Sequence, residues 1–202
     1  MDQEIDNDPN VDRDRAVQRM DDLTSKAVQL NDVQPTTWVY RAMALMYMGQ
    51  WNASLEASAK AIRLEPKSSG LKSIRAGFMN LAGRSAEALT IVDQAITLDP
   101  PGGPVAMSEA CRAHLLLGQY EQAIAACEKA KGLDGEDWMI DLFLVAAYAH
   151  NGDTAKAEVL RRVPGYTIAR LKSRGYSLNP DYIRLAEDQW YSGLRKAGFP
   201  EK

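Results

Sequence analysis

A chain of 202 residues is long enough for one large domain or one short repeat array, and 46% hydrophobic residues allow a buried core. Its net charge of -3 argues against nucleic acid, whose binders show a basic face. No apolar run approaches the ~20 residues of a membrane span. The richest, "WMIDLFLVAAYA", is short and contains Asp141.

Residues 1–14, "MDQEIDNDPNVDRD", read as an acidic, flexible tail, the opposite of a secretory signal. Asp6, Asp8, Asn10 and Asp12 have the alternate spacing of a calcium loop. Val11 stands where that loop needs glycine, and Val17 where it needs a bidentate glutamate, so no metal site is expected. Residues 15–31 follow as a leading helix, with Ala16, Met20, Leu23, Ala27 and Leu30 on one stripe. Ala27 and Leu30 lie 34 residues before Ala61 and Leu64. The helix thus looks like the second helix of an earlier unit, and the expectation is either a cap on the array or a chain that is the C-terminal piece of a longer polypeptide.

Periodicity governs the next 130 or so residues. Glycines fall at Gly49, Gly83, Gly118 and Gly152. Small residues follow at Ser54, Ala88, Ala123 and Ala157, and again at Ala61, Ala95 and Ala130. Units close on "LEP", "LDP" and "LDG". Each feature has a mechanical cause. Glycine supplies the left-handed residue that ends one helix and turns the chain into the next. Small residues let antiparallel helices approach, and proline separates units because it cannot continue a helix. No stretch shows sustained β-branched alternation, so the predicted fold is all-α.

This pattern resembles the tetratricopeptide repeat, a 34-residue helix–turn–helix unit that stacks into an α-solenoid. The units are 35–68, with Trp38, Ala42, Leu45, Gly49, Ala61 and Pro66; 69–103, with Ala76 and Pro100; 104–137, with Tyr120 and Gly135; and a degenerate 138–166, with Tyr148, cut short by Pro164. The array thus runs over 15–166. The resemblance implies a concave face lined by the first helix of each unit. Carried over, that lining is Val39, Met43, Met46 and Tyr47; Ser73, Asn80 and Leu81; Ser108, Arg112 and Leu115; and Leu142, Ala146 and His150. Relatives that clamp chaperone carboxylates use Lys, Asn and Arg at such positions; Val39 and Met43 depart from that pattern. Methionine-rich surfaces adapt to apolar partners. The implied ligand is a protein or peptide, such as an amphipathic helix or the chain's own tail.

Residues 167–202 form a C-terminal extension with a helix at about 180–197, opened by Asn179 and Pro180 and closed by Gly198. Ile183, Ala186, Trp190, Leu194 and Ala197 make its stripe, and Ile183, Trp190 and Leu194 are its candidate docking residues. The helix either caps the array or docks a partner or second copy. The "PGYTIARL" and "YSGLRKAGFPE" segments also resemble the C-terminal region of bacterial class III adenylate/guanylate cyclases. That resemblance implies a regulatory or assembly module. The alternative is the C-terminal part of a cyclase polypeptide whose catalytic domain lies outside this chain. The paired metal-binding aspartates of that domain have no counterpart here, so no catalytic residue is carried over.

Other constellations offer little chemistry. His114 and His150 have no metal ligands at suitable spacing. Cys111 and Cys127 form neither a metal pattern nor a disulfide framework. They occupy facing positions in the two helices of one unit, so buried, inert thiols in a reducing cytoplasmic setting are expected. Arg161, Arg162, Arg170, Lys172 and Arg174 make the C-terminal side basic. No cofactor fingerprint appears. The expectation is a non-catalytic interaction scaffold without cofactor or metal. A homodimer paired through exposed terminal helices is a further alternative.

Overall fold

The computed structural model describes residues 13–134, 138–153, 156–157 and 166–202. The acidic Asp6–Asp12 motif, Gly135, the Arg161–Arg162 pair and Pro164 lie outside these residues. The described chain is all helical and divides into two compact units, Met1–Lys67 and Ser68–Lys202. No described helix is long and apolar enough to cross a membrane.

The first unit contains α1 (Arg13–Leu30), α2 (Pro35–Tyr47) and α3 (Trp51–Leu64). Pro35 sits at the start of α2, where its fixed φ suits the first turn and its missing N–H costs nothing. Ala42, Leu45, Leu55, Ala57 and Ala61 are buried on α2 and α3. Ser54, at a small-residue position, donates its hydroxyl to the Ala42 carbonyl at 2.7 Å. Arg41 ties α2 back to α1 through an ion pair with Asp21 and a hydrogen bond to Thr24 Oγ1 at 3.3 Å. Leu23 and Leu30 on the apolar stripe of α1 are 49% and 77% exposed.

The second unit contains α4 (Ser69–Leu81), α5 (Ser85–Leu98), α6 (Pro104–Leu116), α7 (Tyr120–Asp134) and α8 (Trp138–Asn151). A short α9 (Ile168–Ser173) follows. The terminal helix begins as α10 (Pro180–Leu185), passes through a π-helical stretch (Ala186–Tyr191), and ends as α11 (Ser192–Lys196).

One turn recurs through both units. Gly49, Gly83, Gly118 and Gly152 have φ of 73°, 75°, 71° and 86°. The next residue in each case donates its N–H five residues back: Gln50 to Leu45, Arg84 to Met79, Gln119 to His114 and Asp153 to Tyr148, at 2.8–3.0 Å. This satisfies a carbonyl that the helix end would orphan, and it sets the next helix antiparallel. Ala76, Ala88, Ala95, Ala113, Ala123 and Ala130 are nearly or wholly inaccessible, as close helix packing requires.

That closeness corrects one expectation. Cys111 of α6 and Cys127 of α7 are fully buried and joined as a disulfide, with Cα atoms 4.9 Å apart. They are not free thiols. Facing small-residue positions of a tight antiparallel pair fall within disulfide reach. The inference of a reducing setting, drawn from the cysteine count, loses its basis.

Candidate functional site

The face presented by α4, α6 and α8 is covered by the C-terminal segment. Arg174 lies 4.8 Å over the Trp138 ring at the start of α8, and Ser177 donates its hydroxyl to the Leu81 carbonyl at the end of α4 (2.6 Å). Asn179 Oδ1 then caps the terminal helix, accepting from the N–H groups of Asp181 (2.9 Å) and Tyr182 (3.2 Å). A Cβ on Gly83 would stand 2.6 Å from Asp181 Cβ and 3.0 Å from Tyr182 N, so the α4–α5 turn and the helix start touch backbone to backbone.

A continuous chain of side chains links the three first helices to the terminal helix. Asn80 Nδ2, fully buried, donates to the Glu109 carbonyl (3.0 Å) and to Glu109 Oε2 (2.9 Å). Glu109 pairs with Arg112 at 3.4 Å, and the Arg112 guanidinium lies 5.5 Å over the Phe143 ring. Phe143 in turn packs edge-on against Trp190, ring centres 5.0 Å apart. Trp190 also stacks on Tyr191. Burial pushes the Tyr182 hydroxyl up to about 12, against the opposing pull of the Arg112 charge. Burying an aliphatic side chain such as Leu194, Ile168 or Leu171, all inaccessible, is worth ~1.5–3 kcal/mol each.

At its far end the helix presses onto α8. A Cβ on Gly193 would meet the Ala146 carbonyl and His150 Cδ2 at 2.7 Å and Ala146 Cα at 2.8 Å. Only glycine permits that approach. His150 Nε2–H donates to the Gln189 carbonyl (2.8 Å) and Ser192 Oγ (3.1 Å), while Nδ1 accepts from Lys196 Nζ (3.0 Å). The ring stacks on Tyr120, centres 4.5 Å apart and planes 2° from parallel. Tyr120 donates to Gln189 Oε1 at 2.6 Å. Burial holds His150 below its ordinary 6.5, with Lys196 adding to the depression and the Gln189 carbonyl opposing it.

The last residues fold back. The N–H groups of Ile168 and Ala169 donate to the carbonyls of Pro200 and Glu201, each at 2.9 Å. Thr167 caps the same α9. Glu187 accepts from Lys172 (2.6 Å) and Arg195 (2.8 Å), which hold its carboxyl below the usual range against the upward push of burial. Arg195 also pairs with Glu201. Phe199 is buried beside this junction.

Of the predicted lining residues, the terminal segment touches Leu81, Ala146 and His150, and the Arg112 charge reaches Tyr182. Ser73, Leu115 and Leu142 are buried and Ser108 is half-buried. In the first unit Val39 and Met43 are half-buried, Met46 is buried and Tyr47 is exposed. Trp190 and Leu194 are fully buried, whereas Ile183 is 49% exposed and Tyr182 takes the inward position. The π-helical bonding widens the turn, so Tyr182, Ala186, Trp190 and Leu194, four residues apart, stay aligned where an α-helix would drift. His114 bonds Gln119 Oε1 at 2.6 Å. Sequence reasoning missed Tyr120, Gln189, Ser192, Gly193 and Lys196, whose contacts span the gap between array and tail. No group of three or more potential ligands forms a metal site among the described residues.

The profile of the tetratricopeptide repeat family matches residues 112–137. No curated protein matches the chain. Solved structures match over most of it. The type IV pilus biogenesis factor PilW is 17% identical, with 92% of this chain and 83% of PilW covered and a TM-score of 0.65. A thermophilic tetratricopeptide repeat protein of Thermus thermophilus is 19% identical, covering 90% and 93%, with a TM-score of 0.59. YrrB, described as a tetratricopeptide repeat protein with an unusual peptide-binding site, is 15% identical, covering 85% and 96%, with a TM-score of 0.55. The fold of this chain is a tetratricopeptide-type helical-repeat solenoid.

Proposed function

We propose that the chain is a non-catalytic protein-interaction scaffold. Its second unit recognises an amphipathic helix through α4, α6 and α8, and its own C-terminal helix is the resident occupant of that face. The observation that carries this reading is the seating of Gly193 against Ala146, with Trp190 packed on Phe143. A helix that takes this place needs an aromatic residue followed three positions later by glycine. The reading treats residues 15–166 as the array and 167–202 as an attached ligand-like extension. It is supported by the peptide-binding site for which YrrB, of the same fold, is described. The disulfide favours an oxidising compartment over the cytoplasmic setting expected from sequence.

The narrower reading, a regulatory or assembly module related to bacterial cyclases, rests on the terminal "GLRKAGFPE". Residues of that motif also serve packing in this fold. Gly193 permits the approach to α8, Arg195 pairs with Glu187 and Glu201, and Phe199 is buried. The alternative of a cyclase polypeptide with its catalytic domain elsewhere rests on the same motif alone.

Calorimetric titration tests the scaffold reading. A chain ending at residue 178 should bind a peptide of residues 179–202 saturably. The same peptide with Gly193→Val should bind roughly tenfold more weakly or worse. The full chain, its face already occupied, should take up neither. No binding of the native peptide by the shortened chain would overturn the reading.

A further inference from the structure

We propose that His150 is a pH-sensitive pin for the C-terminal helix: its neutral ring holds the helix on α8, and protonation in mildly acidic solution loosens it. The proposal rests on the reading of that helix as the occupant of the face.

The hydrogen bonds fix the ring's protonation state. Ser192 donates its hydroxyl proton to the Asp188 carbonyl, so toward His150 its oxygen can only accept. The Gln189 carbonyl is likewise an acceptor. Nε2 therefore carries the proton. Nδ1 is left as the acceptor for the Lys196 ammonium 3.0 Å away. This arrangement exists only for the neutral imidazole. A second proton would have to sit on Nδ1, where it would remove the acceptor and set two positive groups against each other. The groups facing the ring are Tyr120 from α7, and Gln189, Ser192 and Lys196 from the terminal helix. Lys196 is the charged one among them. Burial raises the Tyr120 hydroxyl, so it stays neutral throughout the acid range. All three ring contacts to the helix lie within the span 189–196, next to Gly193. Losing them loosens the end of the helix where its backbone touches α8.

The sign follows from the direction of the shift. Docked, His150 titrates below its ordinary 6.5, chiefly because it is buried; undocking exposes the ring and returns it toward that ordinary value. Above that value the ring is neutral in both states and the helix keeps its full hold. As pH falls below it, the undocked state takes up the proton first and gains population. The hold is lost progressively down to the docked-state value.

The test uses the full chain. Ring-proton NMR should show His150 titrating below its ordinary value. Backbone amide exchange, corrected for intrinsic rates, should show protection of residues 186–196 falling by about threefold or more relative to α6 between roughly pH 7.5 and pH 5.5. Lys196→Met removes the opposing ammonium. Burial, the larger cause, remains, so the change should move His150 part of the way back toward its ordinary value and weaken the pH dependence, whereas a purely structural role would lower protection equally at both pH values. Protection that stays equal at both pH values in the unmodified chain would overturn the pin and leave the docked helix standing. An unprotected helix at both would overturn the pin and the reading beneath it.

Discussion

Gly49 and Gly83 share a backbone conformation but not a neighbourhood. Both have positive φ, which any side chain strains by ~1–2 kcal/mol. Nothing lies within 4 Å of the position a Cβ would take on Gly49, whereas on Gly83 it would strike Asp181 and Tyr182. Gly49→Ala should therefore cost only the conformational strain. Gly83→Ala should cost about 1–3 kcal/mol more, because a backbone contact has to open. Urea unfolding of the two variants measures the difference, and equal losses would mean that the helix start does not seat on the α4–α5 turn. The glycine spacing made the turns legible from sequence, since positive φ is a local demand. The second use of Gly83 was not legible, because Asp181 is far away along the chain. The same distance hid Tyr120, Gln189 and Lys196 as partners of His150.

At the scale of the helix, small-residue spacing predicted the antiparallel pairs, and the buried alanines line them. The same spacing brought Cys111 and Cys127 together, yet counting two cysteines suggested thiols. Composition cannot show that two facing helix positions lie 4.9 Å apart. With a sequence separation of 16, the bond should stabilise the α6–α7 pair by about 3 kcal/mol, chiefly by restricting the unfolded chain. Alkylation of the unreduced, denatured protein should add no mass, and reduction should lower the midpoint of thermal unfolding. Modification of both thiols before reduction would contradict the bond. The terminal helix was legible in its caps, Asn179 and Gly198, because capping is also local. Its inward face was only partly legible: a 3.6-residue period selects Ile183, whereas Tyr182 is the residue buried in line with Ala186, Trp190 and Leu194.

Across the second unit, two short segments that looked like separate motifs form one junction. "YTIARL" supplies the start of α9, and the end of "GLRKAGFPE" supplies the carbonyls that receive its first N–H groups. The chain end thereby fastens to α9, and the terminal helix is held at Leu81, along α8 and at residues 200–201. The covering of α4, α6 and α8 by that helix underlies both the proposed function and the His150 pin. The measurement that meets it most directly is the thermal midpoint of a chain ending at residue 178 beside that of the full chain. Loss of buried Tyr182, Trp190, Leu194 and Phe199 predicts a midpoint lower by roughly 5 °C or more, at about 2–4 °C per kcal/mol for a chain of this size. An unchanged midpoint would contradict the account, because a helix that stabilises nothing on departure cannot be seated on that face.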